Sequence, residues 1–128
     1  MNPGEYLARL HSLIQSEPYV SSHRLESDIR GESFLYLHGR IDFLNETTLD
    51  IKEFLEFQSA VPEKYMYGYN YRRGGTVIFR YDNAPDPLAK NLSTYPDHKH
   101  QGDECLSSSV MNLQAVLDEI RLLLSEEG

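Results

Sequence analysis

The hydrophobic period of this chain changes twice, and that change constrains the fold more than any other feature. Near the N-terminus, Tyr6, Leu7, Leu10, Leu13 and Ile14 recur at three- and four-residue spacing, the stripe of an amphipathic helix. Asn2 and Pro3 supply a capping side chain and a first helical residue, Glu5 stands where a reciprocal cap belongs, and Pro18 stops the run. The same spacing returns at Leu113, Val116, Leu117, Ile120, Leu123 and Leu124, with Ser109 or Asn112 as the cap. Between these ends the period falls to two. In 33–43, Leu35, Leu37, Ile41 and Phe43 share one side, with Tyr36, His38, Arg40 and Asp42 on the other. Leu49, Ile51, Leu55 and Phe57 mark one side of 49–57 in the same way. Residues 19–29 read as a further strand. Residues 65–83 read as a hairpin turning at Gly74-Gly75, because paired glycines supply the positive φ of a tight turn.

This pattern predicts an α+β fold: an N-terminal helix, an antiparallel meander of four to five strands, a long loop and a C-terminal helix. A chain of 128 residues has room for one hydrophobic core, so the expectation is a single domain over 1–128. The stretch 84–108 has three prolines and little periodicity, and exceeds the usual connector length. Long loops in small domains carry function, which makes this the place to look for a site.

Charge narrows the function classes. The formal net charge is −8, and a uniformly acidic surface binds nucleic-acid phosphates poorly. The charge is not uniform, however. Within 64–100, six Lys and Arg against three Asp leave +3, while six bases against 17 acids elsewhere carry −11. The same segment holds six of the nine tyrosines. No apolar run approaches the roughly 20 residues that span a bilayer. The first 20 residues lack the pattern of a signal peptide, so the expected location is the cytoplasm, with no membrane partner. The lone Cys105 has no cysteine partner and no base beside it, and reads as a bland thiol.

Hairpin parity sorts the side chains of 65–83. A turn at Gly74-Gly75 places Tyr67, Tyr69 and Tyr71 on one face with Ile78, Arg80 and Asp82. The other face holds Met66, Gly68, Asn70 and Arg72 with Val77, Phe79 and Tyr81. The larger apolar residues of the second set point it toward the core, leaving the first as a polar, aromatic surface. The loop adds His98, Lys99 and His100, where two imidazoles at i and i+2 share a side in extended chain. These residues form a kit for metal-free RNA cleavage, which needs a base for the 2′-hydroxyl, an acid for the 5′-oxygen and fixed positive charge at the phosphate. His98 and His100 can serve as acid and base, Arg80 and Lys99 as phosphate anchors, Tyr69 as a donor or stacking ring, and Asp82 as an orienting carboxylate. No cofactor and no metal are needed for this scheme. Each piece also has a plainer reading. His-x-His is a weak motif, tyrosines on a strand are more often packed than base-stacking, and Arg80 and Asp82 can pair across a sheet. With Asp82 the two histidines can ligate a divalent ion, although the spacing fits no closed structural zinc pattern.

Arg80-Tyr81-Asp82-Asn83-Ala84-Pro85, after a Tyr-rich strand and before Pro96-Asp97-His98-Lys99-His100, resembles the TumE-like toxin family of toxin–antitoxin systems. The resemblance is in strand grammar over 34–57, in residues over 65–100, and in the helix containing Val116-Leu117-Asp118-Glu119-Ile120. It implies a toxin with a cognate antitoxin as partner and RNA as target, and it leaves a homo-oligomer open. Arg80, Asp82, Asn83, His98 and His100 match the family pattern. That pattern has further histidines where Asp86, Pro87 and Asp97 stand here. Three readings follow. The first is a metal-independent ribonuclease using His98, His100, Arg80 and Asp82, with Tyr67, Tyr69, Tyr71, Asn83 and Lys99 contacting substrate. The second is a non-catalytic protein binding a partner through the Tyr-rich face. The third is a metal-dependent nuclease with Asp82, His98 and His100 as ligands.

Overall fold

The computed structural model describes residues 1–127. Helix α1 (Pro3–Gln15) leads into seven strands: β1 (Val20–Arg30), β2 (Phe34–Phe43), β3 (Thr47–Glu56), β4 (Glu63–Arg73), β5 (Thr76–Asp82), β6 (His98–Gln101) and β7 (Glu104–Ser107). A 3-10 turn (Pro87–Ala89) precedes β6, and helix α2 (Leu113–Glu127) closes the chain. The strands form one antiparallel sheet in chain order, so the topology is a plain meander. No helix among the described residues is long and apolar enough to cross a membrane.

The α+β architecture matches the sequence pattern, but the sheet has seven strands rather than four or five. The two additional strands lie inside the expected long loop. They are four residues each, too short and polar to show a period, and they turn at Gly102, whose φ of 60° favours glycine. The caps form as read. Asn2 Oδ1 accepts the Glu5 N–H at 2.8 Å and Asn2 Nδ2 donates to Glu5 Oε1 at 3.1 Å. At α2, Asn112 rather than Ser109 accepts the Ala115 N–H.

Both helices lie on one face of the sheet. Leu10 and Ile14 of α1, with Leu113, Val116, Leu117, Ile120 and Leu124 of α2, join a core with Leu35, Leu37, Ile41, Leu49, Ile51 and Leu55. Tyr67, Tyr69 and Tyr71 belong to the same core, each no more than 2% exposed. This reverses the facing expected of Tyr67, Tyr69 and Tyr71, whereas Phe79 and Tyr81 of β5 face the core as expected. A β-bulge is the reason: Arg72 pairs with Val77, but Tyr71 pairs with Phe79, so Ile78 is an extra residue on β5. Beyond the bulge odd residues oppose odd residues. Phe79 and Tyr81 therefore join the tyrosine row under the helices, and Arg80 and Asp82 turn to the open face.

Buried tyrosines need partners for their hydroxyls, and each finds one. Tyr71 meets Thr47 Oγ1 at 2.8 Å, Tyr67 donates to Asp97 at 2.7 Å, and Tyr81 donates to Glu119 at 2.5 Å. Tyr69 and Tyr6 both donate to the buried Glu53 carboxylate, whose charge Lys64 balances at 3.2 Å. Burial, and then the facing Glu53 carboxylate, push the Tyr69 phenol well above its usual range.

Candidate functional site

The open face of the sheet carries even-numbered residues such as His38, Lys52, Asn70, Arg80 and His100, except where bulges turn Lys64 and Ile78 to the covered side. Strands β5 and β6 pair in a register that sets Arg80 beside His100 and Asp82 beside His98. Four of the residues singled out from sequence thus converge on one place. His98 Nε2 lies 3.1 Å from Asp82 Oδ1, and Arg80 Nε lies 3.0 Å from Asp82 Oδ2. The two imidazoles meet edge-on, with ring centroids 4.8 Å apart. His98 has no exposed side-chain surface, whereas 18% of the His100 side chain and 43% of the Arg80 side chain reach solvent.

These close approaches are not ordinary hydrogen bonds. His98 Nε2 and Arg80 Nε point off the line to their nearest Asp82 oxygens, and both are buried without a hydrogen-bond partner. A buried polar atom left in that state costs about 1–3 kcal/mol, so its retention asks for an explanation. One other side-chain atom among the described residues shares this condition. It is Glu17 Oε1, on a carboxylate whose other oxygen already accepts two bonds from Arg121.

Asp86 completes the cluster. The residue had appeared in the sequence only as a departure from the family pattern. Its Oδ1 accepts the Leu88 N–H at the start of the 3-10 turn, which packs against β7. Its Oδ2 then lies 3.1 Å from His100 Nε2 and 3.9 Å from His98 Nε2. The Leu88 N–H is the main reason the Asp86 carboxyl sits below its usual range; slight desolvation opposes this and the facing His100 adds to it. Beside the cluster, a shallow trough of about 570 Å³ crosses the open face past Gly68 and Lys52 to His38. Lys52 is exposed, and its stem lies where a Gly68 side chain would be, since a Cβ there would meet Lys52 Cε at 2.8 Å. Period two in β3 places Lys52 opposite Leu49 and Ile51. Only the register reveals that it stands in line with Gly68 and Asp82, at the edge of the same trough as Arg80.

The sheet separates the remaining expected residues from this cluster. Tyr67, Tyr69 and Tyr71 lie under the helices, so this tyrosine row is not available to a partner or to RNA bases. Lys99 also turns to the covered side, where it donates to Glu119 of α2 at 2.8 Å and lies over the Phe79 and Tyr81 rings. Asn83 fastens β4 to the end of β5. Its Oδ1 accepts the Tyr67 N–H and its Nδ2 donates to Tyr65 O. Cys105 pairs with His100 across β6 and β7, and burial with the Asp86 and Asp82 charges pushes its thiol up, which keeps it protonated. His11 and His23 approach each other at 3.3 Å between α1 and β1, remote in the sheet order from β5 and β6.

A family model described as Toxin TumE matches residues 10–124. No curated protein and no solved structure matches the chain.

Proposed function

The chain belongs to the toxin TumE family and is the toxin of a toxin–antitoxin pair, with a cognate antitoxin as its partner; on that premise we propose that it acts by cleaving RNA at the β5–β6 cluster. The observation that carries this reading is the register that gathers Arg80, Asp82, His98 and His100 on the uncovered face. Cleavage by the neighbouring 2′-hydroxyl needs no resident cofactor. The 2′-oxygen loses its proton to a base and attacks phosphorus, and the 5′-oxygen leaves with a proton from an acid. The product ends are a cyclic phosphate and a free hydroxyl. Imidazole suits both proton transfers near neutral pH.

Burial divides the roles among the four residues. His100, partly exposed and with its Nε2–H held by Asp86 at 3.1 Å, is assigned the acid that protonates the leaving 5′-oxygen, and solvent water takes the 2′-hydroxyl proton. His98 is sealed, and acts as a positioning residue that packs edge-on against His100. Arg80, with its side chain partly in solvent, anchors the phosphate, and the Asp82 carboxylate beside its Nε is its ion-pair partner. Lys52 extends the positive charge along the trough.

The test is cleavage of a labelled single-stranded RNA by purified chain in chelator. The expected result is cleavage that falls by about 10²–10⁴ in His100→Ala and by about 10² in Arg80→Ala, each with an unchanged melting curve. Cleavage at the wild-type rate in both variants, or none by the wild type, contradicts the proposal.

A further inference from the structure

We propose that Asp82, His98 and His100 form a binding site for one divalent transition-metal ion. The argument starts from the His98 tautomer. Nδ1 lies 2.7 Å from Pro96 O. A carbonyl oxygen only accepts, so Nδ1 carries the hydrogen, and the neutral ring presents a lone pair at Nε2. That nitrogen is fully buried, has no hydrogen-bond partner, and faces Asp82 Oδ1 at 3.1 Å. Asp82 Oδ1 is itself an acceptor, already taking the Ala84 N–H at 3.0 Å. Two acceptors held this close repel each other unless a cation lies between them.

The geometry suits a metal ion better than a proton, because the Nε2-to-Asp82 approach misses the hydrogen-bond direction. One donor atom from each of Asp82, His98 and His100 lies within 4.8 Å of the others. Around an ion bound at about 2.0–2.2 Å, donor atoms stand about 3–4 Å apart, so modest side-chain rotation closes the set. Supporting contacts are in place. The Nδ1 bond to Pro96 O fixes the ring as outer bonds fix ligating histidines, and Arg80 occupies Asp82 Oδ2, leaving Oδ1 inward. Asp86 Oδ2 accepts a hydrogen bond from His100 Nε2 at 3.1 Å, so His100 exchanges that proton for the ion as the site fills, and the Asp86 carboxylate stays at the rim. Two imidazoles and a carboxylate select Zn²⁺, Co²⁺ or Ni²⁺ over Mg²⁺ or Ca²⁺, which prefer all-oxygen ligands.

A consequence rests on the RNA reading above. His100 Nε2 cannot hold an ion and carry a proton together, so filling the site suppresses metal-free cleavage.

The experiment titrates chelator-stripped full chain with Co²⁺, reading its visible absorption, then displaces it with Zn²⁺ and measures RNA cleavage on the same samples. The expected result is one Co²⁺ per chain, an affinity at least tenfold weaker in His98→Gln and in His100→Gln, and cleavage that falls as the site fills. His100 lies at the rim, so His100→Gln reports on the site even where His98→Gln fails to fold. His23→Gln removes the other close histidine pair and leaves the affinity unchanged. Absence of saturable Co²⁺ binding overturns the site, as does binding that survives His100→Gln and is lost in His23→Gln. Cleavage that rises with Co²⁺ confirms the site and overturns the suppression. Saturable binding without cleavage in any state overturns the RNA reading and leaves the site standing.

Discussion

The two faces of the sheet carry similar chemistry and treat it in opposite ways. On the covered face, Glu53 is as buried as His98 is on the open face, yet it accepts from two phenols and is balanced by Lys64. On the open face, Arg80, Asp82, His98 and His100 crowd together, and two of their buried nitrogens lack hydrogen-bond partners. A satisfied buried network specifies one packing arrangement. An unsatisfied one beside solvent retains capacity for something outside the chain. Residue type does not separate the two regions, since tyrosine, lysine, arginine and carboxylate stand on both. Completion of the hydrogen bonds does, apart from Glu17 Oε1 beside α2, whose partner oxygen is already paired with Arg121.

This contrast is broken if substitutions on the covered face change function per folded molecule, or if those at the Arg80–Asp82–His98–His100 cluster raise or lower stability by as much as those in the covered network. The largest stability effect belongs to Glu53→Gln, which leaves the Lys64 ammonium without its buried counterion. The expected loss is about 3–5 kcal/mol in urea unfolding, with RNA cleavage per folded molecule retained. A smaller loss, about 1–3 kcal/mol, is expected of Tyr67→Phe, which leaves Asp97 without its phenol donor. Alkali probes the same row. Burial raises the Tyr67 phenol, Asp97 adding to it, and also raises Tyr69 and Tyr6. Folded phenols therefore hold their protons more tightly than unfolded ones at about pH 10. Their contribution is complete below that pH and is lost as pH rises through the folded values, so stability falls from about pH 10 upward. Tyr69→Phe flattens that fall. The smallest effect is Arg72→Met on the open face. Arg72 bonds Asp50 at 2.6 Å and holds its carboxyl below the usual range, but both side chains are partly in solvent. The pair contributes under about 1 kcal/mol at neutral pH. That contribution is present above about pH 4 and is lost as pH falls through the folded value, so the variant shows a flatter acid limb.

The sequence disclosed the fold's outline because helix caps and alternating periods are local. Asn2, Leu10, Leu35 and Leu49 all stand where their spacing puts them. It hid the facing of the β4 tyrosines because one bulged residue on β5, Ile78, reverses the parity between the two strands without leaving a mark in composition. It also hid β6 and β7 because four polar residues give no period to read. The site was legible in part. Arg80, Asp82, His98 and His100 were visible as residue types near one another, whereas Lys99 was assigned with its neighbours although alternation sends it to the opposite face. Asp86 and Lys52 join through the 3-10 turn and a strand register, and neither is encoded in spacing along the chain.

The central claim is that function resides on the open face and stability on the covered one. It is tested most directly by growth arrest on inducing the chain without its antitoxin, with His100→Ala and Tyr69→Phe compared at matched soluble levels. The account predicts that His100→Ala abolishes the arrest at an unchanged melting temperature, while Tyr69→Phe lowers the melting temperature and keeps the arrest. Full arrest by folded His100→Ala would contradict it.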